Sequence, residues 1–103
     1  MAAFRRLKLE YSERAVSEIS GIVEYLRVRN PHAAQRVALE LKTAVQVVAQ
    51  FPYSGRDVGN GIRVFPVGRY PYLIYWTIQN DIVSVLHVRH TSRTPWPEDV
   101  DPA

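Results

Sequence analysis

Cysteine is absent from the 103 residues, so neither a disulfide framework nor a thiolate metal site can form, and stability rests on packing alone. Such a chain suits a reducing compartment, and a cytoplasmic location is expected. No segment approaches the roughly 18 consecutive apolar residues of a membrane span. The opening MAAFRRLKLEY also lacks an apolar signal-type stretch, so neither insertion nor secretion is expected. A Gly-rich phosphate loop, a serine-nucleophile motif and paired carboxylates are all missing, and the glycines at 59 and 61 precede a strand pattern rather than a helix. His32, His87 and His90 have no ligand-type spacing with carboxylates, so no metal and no cofactor are expected. Lysine is scarce as well. Eleven of the thirteen cations are arginine, whose planar fork suits carboxylates, phosphates and aromatic faces.

What the chain does have is strong periodicity. Leu7, Leu9 and Tyr11 alternate with Lys8 and Glu10, which predicts a half-buried strand near 4–11. Ser12 stands as an N-cap before Val16, Ile19, Val23 and Leu26 at helical spacing, predicting a helix over 13–29. Asn30-Pro31 reads as cap plus first residue of a second helix, whose stripe of Ala34, Val37, Leu41, Val45 and Val48 ends near Phe51-Pro52. With so short a connection the helices must form an antiparallel hairpin. Residues 52–61 read as a turn-rich loop, and strands are predicted at 62–67, 72–79 and 82–90, the last apolar on both faces and therefore central. The expected fold class is α+β, order β-α-α-β-β-β, with the hairpin on one face of a small, mainly antiparallel four-stranded sheet. One domain is expected over 1–94, followed by an extended acidic tail over 95–103 whose lack of pattern makes it look dispensable for folding.

The net charge of +3 is unevenly spread: residues 56–95 hold five arginines against Asp57 and Asp81, while the tail carries Glu98, Asp99 and Asp101. Arg63, Phe65 and Arg69 share one strand face if alternation holds, giving a basic, aromatic-bearing surface, and Arg89, His90 and Arg93 cluster where the last strand ends. Arg63, Arg69, Arg89 and Arg93 are expected to share one basic surface. His87 reads as a structural histidine, Glu24 and Glu40 as solvated helix charges, and Tyr70, Tyr72, Tyr75 and Trp76 mostly as core or hairpin packing. Trp96, between two prolines, could pin the tail to the body. Two helices cover only one face of such a sheet, so the other face invites a partner.

Ser12-Glu13-Arg14-Ala15, Glu24-Tyr25-Leu26, Arg29-Asn30-Pro31 and Phe51-Pro52-Tyr53-Ser54-Gly55-Arg56 resemble motifs of the RelE/ParE toxin superfamily. So do Gly61-Ile62-Arg63-Val64-Phe65-Pro66-Val67-Gly68-Arg69-Tyr70 and Val85-Leu86-His87-Val88-Arg89-His90, and the likeness covers about residues 5–94. The resemblance implies the toxin of a type II toxin–antitoxin module, of the kind associated with plasmid stabilisation. Its partner would be a cognate antitoxin whose C-terminal segment wraps the toxin over the sheet and the helical hairpin. Operator DNA would be reached only through the antitoxin. RelE-like members cleave messenger RNA on the ribosome; on that branch Arg69, Arg89, His90 and Arg93 are the positions that match catalytic groups. The basic-face lysines of that branch are missing here, and no tyrosine follows Arg93. ParE-like members inhibit DNA gyrase by binding and need no catalytic set. The Phe-Pro-x-x-Gly-Arg loop and the Val-Gly-Arg-Tyr hairpin resemble that branch most closely. On it, Arg56, Arg63, Phe65, Arg69, Tyr70, Arg89, His90 and Arg93 become candidates for contact with target or antitoxin. A nucleic-acid-binding module without toxicity is the alternative of another class, and it would bind free DNA or RNA in a salt-sensitive way.

Overall fold

The computed structural model describes residues 7–92. Its elements are β1 (Lys8–Tyr11), α1 (Glu13–Arg29), α2 (Pro31–Gln50), β2 (Arg56–Gly59), β3 (Ile62–Pro66), β4 (Tyr72–Gln79) and β5 (Ile82–His90). The sheet has five strands in the order β1-β5-β4-β3-β2, not four. Only β1 and β5 run parallel; the other neighbours are antiparallel.

The added strand is β2, inside the segment read as a loop. Its residues Arg-Asp-Val-Gly carry no alternation of their own, so pairing with β3 makes the strand. Asn60 and Gly61, with φ of 55° and 74°, close that hairpin in the doubly left-handed geometry that asparagine and glycine favour. Asn80 and Asp81, at 53° and 63°, close the β4–β5 hairpin in the same way.

The helices begin and end on side-chain caps. Ser12 Oγ accepts from Ala15 N at 2.9 Å and donates to the Leu86 carbonyl at 2.9 Å, which ties the start of α1 to β5. Asn30 serves both helices: its N–H closes α1 on Leu26 O, and its Oδ1 accepts from Ala33 N at 3.1 Å. With Pro31 as its first residue, α2 folds straight back along α1.

The main core lies between α2 and one side of the sheet. Val37, Leu41, Val45 and Val48 meet Val67, Ile74, Trp76, Val83, Val85 and Val88. Each large apolar side chain so buried contributes roughly 1.5–3 kcal/mol. Trp76, fully buried, keeps its polar atom satisfied by donating from Nε1 to the Pro52 carbonyl at 2.9 Å. By contrast α1 buries only Ala15 completely and leaves Val16, Tyr25 and Val28 exposed.

β5 contains a bulge. Tyr75 pairs with His87 and Trp76 with Val85, so Leu86 is the extra residue. Val85 and Val88 thereby both face the helices although they are three positions apart in the chain. The other side of the sheet carries a second cluster of Ile62, Val64 and Tyr75, flanked by Val58, Leu73 and Leu86.

Candidate functional site

β1 stops opposite Val85, so the last residues of β5 lack a neighbouring strand on that edge. The edge is satisfied from α1 instead. Glu18 accepts from the Val88 N–H at 2.8 Å with one carboxylate oxygen and contacts His87 Nδ1 at 3.1 Å with the other. A carboxylate only accepts, which places the His87 proton on Nδ1. His87 is 4 % exposed, and its role is to hold the edge. Glu18 drew no attention in the sequence, although it stands one residue before Ile19 on the half-buried stripe of α1.

Beyond this closure α1 and the sheet separate into a groove of about 630 Å³. Gly21, Ile22 and Tyr25 form its helical wall, with Tyr72, Val88, Arg89 and His90 lining it from the sheet. An added Cβ at Gly21 would meet nothing within 4 Å, so the glycine widens the groove without being required by packing. At the rim the Arg29 guanidinium lies 3.7 Å from the centroid of the Tyr25 ring. Tyr72 and His90 are directly opposite each other, their rings edge to face at 5.5 Å. His90 Nδ1 accepts from Ser92 N at 3.0 Å and lies 2.8 Å from Ser92 Oγ, so the neutral ring carries its proton on Nε2. Burial pushes the Tyr72 phenol above its ordinary range, and the nearby Tyr25 phenol adds to the shift.

Arg69 is exposed in the turn between β3 and β4, beside Tyr70, as the Val-Gly-Arg-Tyr hairpin leads one to expect, and beyond the end of the strand that carries Arg63 and Phe65. Thr91 N donates to Pro71 O at 2.9 Å and binds this turn to the end of β5. The structure thus brings Arg69, Tyr70, Arg89 and His90 to one end of the sheet. Glu40, read as solvated, approaches this turn from α2: a Cβ added at Gly68 would lie 2.7 Å from Glu40 Oε1. Glu24, read the same way, makes an exposed 2.7 Å pair with Arg27, of a kind worth little.

The other candidates lie elsewhere. Arg63 is directly opposite Trp76, on the helix side of β3. Its Nε donates to Ser54 O at 3.0 Å and its terminal nitrogen to Gly55 O at 3.3 Å, with Asp57 at 4.0 Å. The guanidinium therefore clamps the 51–55 loop. Gly55 makes the clamp possible: at φ 77° a Cβ there would come within 2.5 Å of Val64 O and 2.9 Å of the Trp76 ring. Phe65 shares the helix side of β3 and meets Trp76 edge to face at 6.5 Å. Arg56 is exposed on the edge strand β2. Arg89 is opposite Leu73, a register position on the side away from the helices, yet at the open end of β5 it also lines the α1 groove. The expected common surface of Arg63, Arg69, Arg89 and Arg93 is therefore divided: Arg63 and Arg89 hold register positions on opposite sides. The Leu86 bulge is the cause, because it reverses the alternation of β5 before Arg89. Arg93 and Trp96 lie outside the described residues.

A helical hairpin thus packs on one side of a mainly antiparallel sheet with a grooved and basic end. The family model for the ParE toxin of the type II toxin–antitoxin system parDE matches residues 9–95, and the chain belongs to that family. Toxin RelE2 of Caulobacter vibrioides is 35 % identical over 80 residues, spanning 78 % of this chain and 90 % of that protein. Y4kP of Sinorhizobium fredii is 32 % identical over 94 residues, 90 % of this chain and 96 % of the relative. In solved structures, a chain of the chromosomal ParDE system of P. aeruginosa superposes with a TM-score of 0.73 at 17 % identity, covering 82 % of this chain and 96 % of its own, which is a likeness of fold. The chain is a type II toxin of the ParE/RelE superfamily. Among the described residues no helix is long and apolar enough to cross a membrane.

Proposed function

We propose that this toxin acts by binding DNA gyrase and is neutralised by a cognate protein antitoxin. The observation that carries the reading is the separation of the residues that cleavage would need together. His90 and Arg89 both line the α1 groove, whereas Arg69 stands in the β3–β4 turn and is not among its lining residues, and Arg63 is tied to the 51–55 loop. Ribose-directed cleavage asks a base, an acid and a phosphate-binding cation to converge within hydrogen-bond reach of one phosphodiester. Binding asks only for a shaped, charged surface, which Arg69, Tyr70 and His90 provide. The antitoxin's place is the groove between α1 and β5, where an acidic amphipathic segment would set apolar residues on Ile22, Tyr25 and Val88 and carboxylates against Arg29 and His90. A cytoplasmic setting follows from these partners.

RelE-like ribosome-dependent cleavage of messenger RNA is kept as the second reading. It is favoured by the RelE name of the 35 %-identical relative and by the shared groove position of Arg89 and His90. The two are separated by gyrase supercoiling and ribosome-dependent messenger-RNA cleavage assays run in parallel on chain freed of antitoxin. Inhibited supercoiling with intact messenger is the expected result; cleavage with unaffected gyrase would overturn it and make His90 and Arg69 the first residues to replace.

A further inference from the structure

A second hollow lies between α2 and β3, two strands away from β5 and its α1 groove. Its walls are Ala44 and Val47 of the helix and Phe65 and Pro66 of the strand. At about 270 Å³ it falls below the roughly 300–1,000 Å³ of small-molecule pockets and suits a single apolar side chain. The strand edge here is open, because β2 pairs with β3 only as far as Val64. Val67 N–H donates to Tyr72 O on β4, so alternation turns the Pro66 nitrogen to the open edge, where proline has no proton to give. A partner therefore meets this edge through side chains rather than by lengthening the sheet. Phe65 is a firm floor for one, its ring braced edge to face against the buried Trp76.

One charged group intrudes on this apolar lining. Glu40 is half-buried at the hollow, and its Oε1 would stand 2.7 Å from a Cβ added at Gly68, whose φ is 54°. Among the described residues Glu40 has no hydrogen-bond or ion-pair partner: neither Arg36, one turn earlier on α2, nor Arg69, next to Gly68, closes on it. A carboxylate partly stripped of water and left without a donor is complementary to a cation brought from elsewhere.

We propose that this hollow is a specificity pocket for the toxin's target, continuous with the Arg69–Tyr70 turn and separate from the groove assigned to the antitoxin. The inference rests on the reading of gyrase as that target. The occupant is a segment of gyrase that carries an apolar side chain beside a lysine or arginine, the first seated on Phe65 and Val47, the second on Glu40. Continuity selects the target, since residues 65–70 run without a break from the floor of the hollow to the exposed Arg69. Charge selects the segment: on a chain of net charge +3, whose sheet end otherwise calls for acids, Glu40 asks for a cation.

Because the chain has no cysteine, Thr43→Cys sets a single thiol at the exposed lip of the hollow, and Ser17→Cys sets one on exposed α1 surface as the control. Binding of each to immobilised gyrase is measured before and after alkylation with a bulky maleimide, with circular dichroism confirming the fold. Alkylation is expected to weaken binding at least ~10-fold for Thr43→Cys and less than ~2-fold for Ser17→Cys. Glu40→Gln, which keeps the shape and removes the charge, should weaken binding roughly 5-fold or more, and Glu40→Lys further. Gyrase binding that survives both alkylated Thr43→Cys and Glu40→Lys would overturn the pocket and leave the gyrase reading standing. Absence of binding by the wild-type chain would instead overturn that reading, and the pocket with it. Protection of the Thr43→Cys thiol that rises with toxin concentration alone would assign the hollow to a second copy and also overturn the proposal.

Discussion

Arg63 and Arg69 read alike in the sequence, two arginines flanking Phe65, but their surroundings give them opposite duties. Arg63 donates to two loop carbonyls, so Arg63→Ala should lower stability by about 1 kcal/mol in urea denaturation, because the 51–55 loop loses both bonds, one of them part-buried. Arg69 is exposed in a turn, so Arg69→Ala should leave stability within roughly 0.5 kcal/mol while weakening target binding. Equal stability losses for the two would show that this division is wrong. Gly55→Ala should be the most damaging loop change, at about 2 kcal/mol or more, since it adds backbone strain at φ 77° to a clash with Val64 O. Tyr11 and Tyr72 set an alkaline limit. Burial raises both phenols above their ordinary 10.0, so their ionised forms are favoured in the unfolded chain. Their contribution is then full below pH 10.0 and is lost as pH rises through the folded values. Tm should fall on that limb, and Tyr72→Phe should flatten it.

At the level of elements, α1 differs from α2 in being half uncovered, and Gly21 is its most telling residue. Gly21→Ala has open space and should stabilise the fold by roughly 0.5–1 kcal/mol through helix propensity. The same methyl narrows the groove, so calorimetry should record weaker antitoxin binding from a more stable protein. Unchanged affinity would move the docking site away from α1. Both helices were legible in the sequence to within a residue or two because their ends are written in side chains: Ser12, Asn30 and Pro31. The strands at 62–66, 72–79 and 82–90 were legible through alternation and the Asn80-Asp81 turn. β2 was not, since Arg-Asp-Val-Gly gains its strand character from β3; the Asn60-Gly61 pair was the available signal. The candidate site was legible only in part. Arg69, Tyr70, Arg89 and His90 do gather at one sheet end, but the partition of the arginines hangs on a one-residue bulge. The spacing of Val83, Val85 and Val88 hints at it, and strict alternation cannot express it. Glu18 was missed because its partners, His87 and Val88, are some seventy residues away.

For the whole molecule, a sturdy α2-and-sheet core carries a loosely covered first helix and a charged sheet end. On the proposed reading, such a design presents binding surfaces around the fold. Direct binding of the purified, antitoxin-free chain to DNA gyrase, followed by surface plasmon resonance, tests that account most squarely. Saturable binding that weakens at least ~10-fold in the stably folded Arg69→Ala variant is the result expected, a hot-spot loss of about 1.4 kcal/mol or more. No saturable binding to gyrase by the wild-type chain would contradict it.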